Sequence, residues 1–232
     1  MNSEYISIIV PVLNEFDQLE GLINSLKELS FFENEIIIVD GGSEDGSVEW
    51  LKNNKGYTYT YIQTNKGKAH QQNEGARIAK SPILYFLHAD TLPPNNFDKL
   101  ILNTVSQSKK VGSFRLKFSD SHWALNFAAF SSKYNNRFCR GGDQSLFILK
   151  ELFDELKGFD ENYLICEDGE LIDRIYKQTS FCVLPYDVLT SARRFKENGV
   201  LRLQFHFMII HIMRVIGMAP ERLYTYYTKF VK

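Results

Sequence analysis

Residues 7–15 read Ser-Ile-Ile-Val-Pro-Val-Leu-Asn-Glu, and residues 35–47 read Glu-Ile-Ile-Ile-Val-Asp-Gly-Gly-Ser-Glu-Asp-Gly-Ser. Each stretch is an apolar run that ends in polar and turn-forming residues, which is typical of a strand buried on both faces. Between the two runs, apolar residues recur at the spacing of one helix face. They are Leu19, Leu22, Ile23, Leu26 and Leu29. A strand, a helix and a second strand in succession predict a parallel sheet with right-handed crossovers.

The alternation continues further along the chain. We expect a third strand over 57–63, a helix over 69–80 and a fourth strand over 83–88. The predicted fold is therefore α/β, a Rossmann-like and mostly parallel central sheet flanked by helices. We assign residues 1–195 to this domain and residues 196–232 to a C-terminal helical extension packed on the domain or on a partner.

Composition narrows the class of protein. The chain has 232 residues, and 44% of them are hydrophobic, which is enough for a packed core. Its net charge is -1, so the protein as a whole has no positive potential that would attract nucleic acid. The three cysteines are too few and too widely spaced for a disulfide framework or a zinc site. The N-terminus lacks the layout of a signal peptide, and no window holds the roughly 18 apolar residues needed to cross a bilayer. We expect a cytoplasmic protein, with peripheral membrane contact as an alternative.

Polar residues follow each predicted strand at the point where the strand ends. They are Asn14, Glu15, Asp40, Lys66, Lys68, His88 and Asp90. Ligands of open parallel sheets bind outside the carboxyl ends of the strands, so these side chains are expected to share one cleft. Acids, lysines and a histidine at one edge suit an anionic ligand held through a metal ion.

Two of these residues, His88 and Asn14, have a simpler interpretation as well. His88 and Asp90 are two apart, so in an extended segment both face the same way and could grip Mn²⁺ or Mg²⁺. We favour metal or donor contact for Asp90, whereas for His88 a hydrogen bond inside the core has equal weight. For Asn14 we favour capping of the following helix over ligand contact.

Two charged pairs lie in the second half of the chain. Glu167 and Asp168 are expected to open a helix, where a carboxylate can cap the helix and still act as a base towards an acceptor hydroxyl. Arg193 and Arg194 carry guanidinium forks that match phosphate oxygens. Taken alone, the simpler interpretation of these two arginines is a solvated basic pair.

Taken together and in order, segments from Ser7 to about Phe195 resemble the family 2 glycosyltransferases, which have the GT-A fold. The resemblance rests on five motifs. They are Ile-Ile-Val-Pro-Val-Leu-Asn-Glu at 8–15, Ile-Val-Asp-Gly-Gly-Ser-x-Asp-Gly-Ser at 38–47, Phe-Leu-His-Ala-Asp-Thr at 86–91, Gly-Gly-Asp-Gln at 141–144 and Glu-Asp-Gly-Glu-Leu at 167–171. His88 stands where the family has an acid, and this resembles a small bacterial subgroup.

The resemblance implies roles for individual residues. Pro11, Glu15 and Asp40 would line the nucleotide pocket, and Lys68 is placed with them among the donor-binding residues. Asp90 would hold the metal, as the last acid of the family's Asp-x-Asp motif. Asp168 would be the catalytic base, with Glu167 beside it as the other acid of the family's Glu-Asp pair. Arg193 and Arg194 would help to bind the diphosphate.

The implied activity is a metal-dependent, inverting transfer of a sugar from a nucleotide-sugar donor, with a UDP-sugar expected, to an unidentified acceptor hydroxyl. A sugar nucleotidyltransferase is one alternative, but it would need a glycine- and arginine-rich loop after the first strand, and residues 12–15 are not such a loop. A non-catalytic nucleotide-sugar binding module is the other. Retention of Asp90, Asp168 and both arginines argues against it.

Residues 200–217 predict a helix that is apolar nearly all round, more than one core-facing helix needs. It could be buried in the core, contact a second subunit, or lie on a membrane surface. We rank core burial and subunit contact ahead of the membrane, because the net charge is slightly negative and the helix contains His206 and His211.

Overall fold

The computed structural model describes residues 5–54 and 58–231, and within them eight strands form a single sheet. The strands are β1 (Ser7–Val12), β2 (Glu35–Asp40), β3 (Thr60–Gln63), β4 (Ile83–Phe86), β5 (Thr91–Leu92), β6 (Val111–Phe118), β7 (Leu146–Leu149) and β8 (Cys182–Thr190). The helices are α1 (Phe16–Leu29), α2 (Ser47–Asn53), α3 (Lys68–Ile78), α4 (Phe97–Ser106), α5 (Trp123–Ser131), α6 (Lys150–Glu155), α7 (Glu167–Gln178), α8 (Arg193–Asn198), α9 (Val200–Val215) and α10 (Pro220–Phe230).

The strand order is β3-β2-β1-β4-β7-β6-β8-β5. The first four of these strands pair in parallel, β7 runs antiparallel to both of its neighbours, β8 is parallel to β6, and β5 closes the edge antiparallel to β8. The predicted α/β fold, a mostly parallel sheet flanked by helices with further helices at the C-terminal end, is confirmed.

The surroundings of strand β1 explain why its sequence is apolar at successive positions and does not alternate with polar residues. Ile8 and Val10 face a core that also contains residues of α1 and α4. Ile9, between them, faces a second core formed with α3, α6 and α7. Since successive side chains of a strand point to opposite faces, a strand covered by helices on both sides must be apolar at every position.

Three elements differ from the sequence-based expectation. The sequence predicts a last strand over 181–185, whereas β8 starts at Cys182 and runs on to Thr190, with an irregularity in its pairing with β6 between Ser113 and Arg115. Proline lacks the N–H that a regular ladder needs, so it is tolerated at such an irregularity. The two-residue β5 and the short helix α8 were not predicted. Of the expected third strand, Tyr57 lies outside the described residues.

Asn14 does not cap α1, so that expectation is wrong. Its φ is 56°, and its side-chain oxygen instead accepts a hydrogen bond from Glu44 N at 2.8 Å. At the start of α1, the N–H of Phe16 instead donates a hydrogen bond to the carboxylate of Asp45 at 2.9 Å. The loop after β2 therefore holds the loop after β1, and both loops border the carboxyl edge of the sheet.

The C-terminal helices pack on the rest of the chain through a third core. Leu203 and Ile210 of α9 are buried there together with Phe118, Leu125 and Phe195. This core joins residues on both sides of position 195, and the division of the chain at that position stays a prediction. In the described part of the chain, no helix has the length and apolar character required to cross a membrane.

Candidate active site

The cleft begins where β1 loses its partner β4. The pairing of these strands ends at Ile9 opposite Phe86, whereas β1 continues beside β2 to Val12. Pro11 lies beyond that point, so its missing N–H costs no ladder hydrogen bond. β1 and β4 are also where the strand order reverses, the position at which open α/β sheets bind ligands.

Asp40, at the end of β2, is fully buried. Its carboxylate accepts hydrogen bonds from Gly42 N at 2.8 Å and Ser43 N at 3.1 Å, so it shapes the loop that follows it. Next to this loop, the Gln71 amide of α3 donates to the carbonyls of Val12 and Val39, each at 2.8 Å. This amide ties together the ends of β1 and β2. Contact between Asp40 and a nucleotide stays a prediction.

Glu15 and Arg193 meet across the cleft, with Arg193 Nη2 3.2 Å from Glu15 Oε2. Burial raises the pKa of the Glu15 carboxyl above its ordinary value, the guanidinium of Arg193 opposes that rise, and the charge of Asp90 adds to it. Two carboxylates and a guanidinium thus share one locality. The arrangement is held by the backbone, because Ser191 N donates to the carbonyl of Asp90 at 3.0 Å and so brings the start of α8 to the end of β4.

A cavity of about 290 Å³ opens between α1 and the end of β8, with Asp90 in its wall. Asp17 and Gln18 line it from α1, and Thr190 and Ser191 line it from the other side. Asp90 therefore faces a space that a small ligand could enter.

His88 is paired with a residue that sequence reasoning had left without a role. Its Nδ1 lies 3.2 Å from Asp143 Oδ1, in the 3₁₀ turn Gly142–Gln144. Partial desolvation acts to raise the pKa of Asp143, but the hydrogen bond and charge of His88 and the nearby cations outweigh it, so the pKa is lowered. The Gly-Gly-Asp-Gln motif was a signal for this turn, but the sequence did not reveal its partner.

Gly142 is the point where α7 meets the end of β4. Its N–H donates to Asp168 Oδ2, and Asp168 Oδ1 accepts from Gly169 N at 2.8 Å. A β-carbon added to Gly142 would lie 2.5 Å from Asp168 Oδ2 and 2.9 Å from His88 Nε2. Glycine is thus the residue that lets the Asp168 carboxylate and the His88 imidazole approach the same backbone.

Lys68 and Glu167 form an ion pair with 3.1 Å between Nζ and Oε1. Glu167 is buried, whereas a third of the Lys68 side chain is exposed. Burial opposes the charged form of this lysine, but the negative charges of Glu167, Asp168 and Asp143 outweigh burial and raise the pKa of the lysine. The ammonium group therefore stays charged beside the predicted base.

The neighbouring arginines diverge. Arg193 turns to Glu15, whereas Arg194 Nη2 donates to Tyr227 Oη at 2.6 Å and its guanidinium lies over the rings of Phe207 and Tyr227. The charge of Arg194 still reaches the cleft, because it contributes to the lowered pKa of Asp143. Both side chains are exposed, and each has a partner within the protein. Binding of a diphosphate by these arginines stays a prediction.

The chain's own residues fit a divalent cation only in part. Within residues 5–54 and 58–231, no group of three or more histidine, cysteine, aspartate or glutamate side chains is arranged to hold a metal ion. The proximity of Asp90 to Glu15 does favour a cation there, because two nearby carboxylates repel each other. Metal binding by Asp90 and His88 stays a prediction.

A sequence model of one protein family, Glycosyl transferase family 2, matches residues 7–150. The poly-beta-1,6-N-acetyl-D-glucosamine synthase of Staphylococcus epidermidis strain RP62A is 28% identical over 113 residues, which are 47% of this chain and 27% of that protein. The synthase of Staphylococcus aureus strain MSSA476 is 27% identical over 113 residues. The chain thus spans about a quarter of the length of the curated relatives it matches.

Two solved structures share the architecture. The mannosyltransferase PcManGT from Pyrobaculum calidifontis, in complex with GDP-Man and Mn²⁺, has a TM-score of 0.67 and 20% identity, covering 97% of this chain and 67% of that one. S. aureus TarS 1–349, in complex with UDP-GlcNAc, has a TM-score of 0.69 and 17% identity, covering 97% of this chain and 71% of that one. At these identities the likeness establishes the fold, which is the predicted GT-A fold.

Proposed function

Because this chain belongs to family 2 of the glycosyl transferases, we propose that it transfers a sugar from a nucleotide-diphosphate sugar to an acceptor hydroxyl, with inversion at the anomeric carbon. The observation that carries this proposal is the meeting of α7 with the end of β4 at Gly142. This contact brings Asp168 to the carboxyl edge of the sheet, where open α/β sheets bind their ligands.

Asp168 is the proposed general base. Two backbone N–H groups, of Gly142 and Gly169, donate hydrogen bonds to its two oxygens and fix the orientation of the carboxylate. The carboxylate takes the proton of the acceptor hydroxyl while the hydroxyl oxygen forms a bond to the anomeric carbon. The bond from that carbon to the phosphate oxygen breaks, and the electron pair leaves with the nucleoside diphosphate. Glu167 is held by Lys68 and serves as its counter-ion.

The cations at the site are proposed to bind the donor. Arg193 and the ammonium group of Lys68 supply positive charge to the diphosphate, and Arg194 adds to the positive potential. Asp90 would hold the divalent cation, Mn²⁺ or Mg²⁺, with His88 as a further ligand. When bound, such a cation would neutralise charge that develops on the leaving diphosphate.

We propose a UDP-sugar as the donor. The UDP-GlcNAc bound by TarS supports that choice, whereas the GDP-Man bound by PcManGT makes a GDP-sugar the alternative. We place the reaction in the cytoplasm, since the free thiols Cys139, Cys166 and Cys182 suit a reducing compartment.

The test has two stages. Melting temperature is first measured with UDP, GDP, ADP and CDP, each with and without Mn²⁺, because a ligand that binds the folded state raises it. The sugar nucleotide of the preferred base is then incubated with the protein and a panel of acceptors. Release of nucleoside diphosphate supports the proposal. Release of pyrophosphate would instead indicate a nucleotidyltransferase, and donor binding without turnover across all acceptors would indicate a binding module.

A further inference from the structure

Helix α9 has one buried face and one exposed apolar face. Leu203 and Ile210 are 1% and 3% exposed in the third core. On the opposite side, Phe205, Met208 and Ile212 are each at least half exposed. These three positions follow one another at spacings of three and four residues, so they form a continuous stripe along the helix. Burial in the core therefore accounts for only one side of α9.

Helix α5 repeats this arrangement beside α9. Its residues Ala124 and Leu125 are buried, whereas Trp123 and Phe127 are 68% and 73% exposed. The two helices pack against each other. The segment after α5 also contacts α9, since the Phe138 ring lies edge-on to the His211 ring with 6.1 Å between the centroids. We call the exposed stripes of these two helices the α5–α9 face.

The charge of the α5–α9 face differs from that of the whole chain. Residues 121–142 and 198–220 contain no aspartate and no glutamate, although the chain as a whole has a net charge of -1. Lys133 and Arg202 are exposed cations of these segments. The Lys133 ammonium lies 5.1 Å from the centroid of the exposed Phe130 ring. The face is therefore apolar, aromatic and positively charged.

We propose that the α5–α9 face binds the surface of a membrane that contains anionic lipids. Exposed aromatic rings combined with lysine and arginine and without acids are typical of surfaces that enter the headgroup region. With 16 residues at ~1.5 Å each, α9 is shorter than the ~30 Å hydrocarbon core, so it lies along the surface. The slightly negative net charge of the chain argues for core burial or subunit contact over a membrane, but the α5–α9 face does not carry that negative charge.

A second copy of the chain fits the face less well. A two-fold contact places the same patch of both copies together. The cations of the two copies would then approach each other with no acid in either segment to compensate them. An anionic bilayer provides the missing negative charge.

The test is flotation with vesicles of phosphatidylcholine alone or mixed with phosphatidylglycerol. We expect the wild type to float with the mixed vesicles and to be released by high salt. F205S/M208S/I212S should abolish flotation. K133E/R202E should weaken it roughly tenfold or more, since each cation near an anionic surface strengthens binding. F31S/Y186S, which changes exposed rings elsewhere, is the matched control and should float.

All variants alter exposed side chains, and circular dichroism with an unchanged melting temperature checks their fold. A wild type that does not float overturns the proposal, as does flotation that survives F205S/M208S/I212S. Sedimentation velocity measures whether the protein is a monomer or a dimer. A vesicle-indifferent dimer that becomes monomeric in F205S/M208S/I212S would show that a second copy covers the face. Because flotation needs no donor or acceptor, its result is independent of the proposed transfer.

Discussion

Arg214, near the end of α9, donates a hydrogen bond from Nη1 to the carbonyl oxygen of Gly169 at 2.7 Å. The same nitrogen also contacts Asp173, and Arg214 is only 8% exposed. A β-carbon on Gly169 would lie 2.9 Å from Arg214 Cζ, so glycine makes room for the guanidinium. Since Gly169 directly follows Asp168, the C-terminal helix supports the turn that carries the proposed base.

We expect Arg214→Ala to lower the free energy of unfolding by roughly 1.5–3 kcal/mol, because Asp173 and the Gly169 carbonyl lose a charged donor. Transfer should fall more than donor binding, since the loosened turn is the one that holds Asp168. Urea unfolding and steady-state kinetics measure the two effects. Arg202→Ala, on the same helix but exposed, should change the unfolding free energy by less than about 0.5 kcal/mol. Equal behaviour of the two variants would contradict this role of Arg214.

Asp168→Asn removes the proposed base and retains the shape of the side chain. Donor affinity should persist, whereas the transfer rate should fall by roughly 10²–10⁴-fold, the range for loss of a general base. Isothermal titration and a single-turnover assay separate binding from chemistry. Asp154→Asn, an exposed acid of α6, is the control. If transfer by Asp168→Asn stays near the wild-type rate, Asp168 has only a structural role.

Asp90→Asn tests the metal. We expect it to abolish the Mn²⁺-dependent part of donor binding and transfer while the melting temperature stays unchanged. His88→Ala should have a smaller effect, because His88 is already paired with Asp143. Titration of Mn²⁺ in the presence of the nucleoside diphosphate measures this, with the exposed Asp187→Asn as control. An unaltered Mn²⁺ response in Asp90→Asn would remove Asp90 from the metal site.

Gly142→Ala places a methyl group between the Asp168 carboxylate and the His88 imidazole. One of the two side chains must shift, and a displacement of about 1 Å at a reacting group costs roughly 10²-fold in rate. Gly21→Ala is the matched control, because its β-carbon would meet nothing within 4 Å and it lies inside α1. That control should gain roughly 0.5–1 kcal/mol of stability. Full activity of Gly142→Ala would show that the contact is not needed.

Asp45 holds the starts of two helices, since its carboxylate accepts from Phe16 N at 2.9 Å and from Ser47 N at 3.0 Å. Desolvation acts to raise the pKa of Asp45, but these hydrogen bonds and that of the Ser47 hydroxyl lower it below its ordinary value of 3.8. A lowered folded-state pKa means that the stabilisation is present above the ordinary pKa. It is lost as pH falls through the folded-state value.

Asp45→Ala should therefore cost about 1–2 kcal/mol near neutral pH, the typical cost of losing a helix cap. The difference from the wild type should shrink once the pH falls below about 4. Urea unfolding at several pH values measures it, with the exposed Asp154→Ala as control. A difference that does not change with pH would show that the charge of Asp45 is not what stabilises the helix starts.

Much of the fold could be predicted because burial has a local signature. β1, β2 and β4 are covered on both faces, and each reads as an unbroken apolar run. The second half of β8 is harder to predict, because Pro185, Tyr186 and Asp187 are exposed and follow the irregular part of the β6–β8 pairing, where the apolar pattern of a buried strand is absent. The two residues of β5 give no periodicity at all.

The sequence by itself determined the parallel part of the sheet, the helices between those strands and the identity of the polar residues at the strand ends, because hydrophobic period and turn chemistry are local properties. Only the tertiary structure decided which of those residues meet. Glu15 and Arg193 are 178 positions apart, and the pair Lys68 and Glu167 is also far apart in the sequence. Such pairs depend on how each crossover returns the chain to the sheet edge. That geometry is set by packing of whole helices, so the pattern of residues around either partner does not encode it.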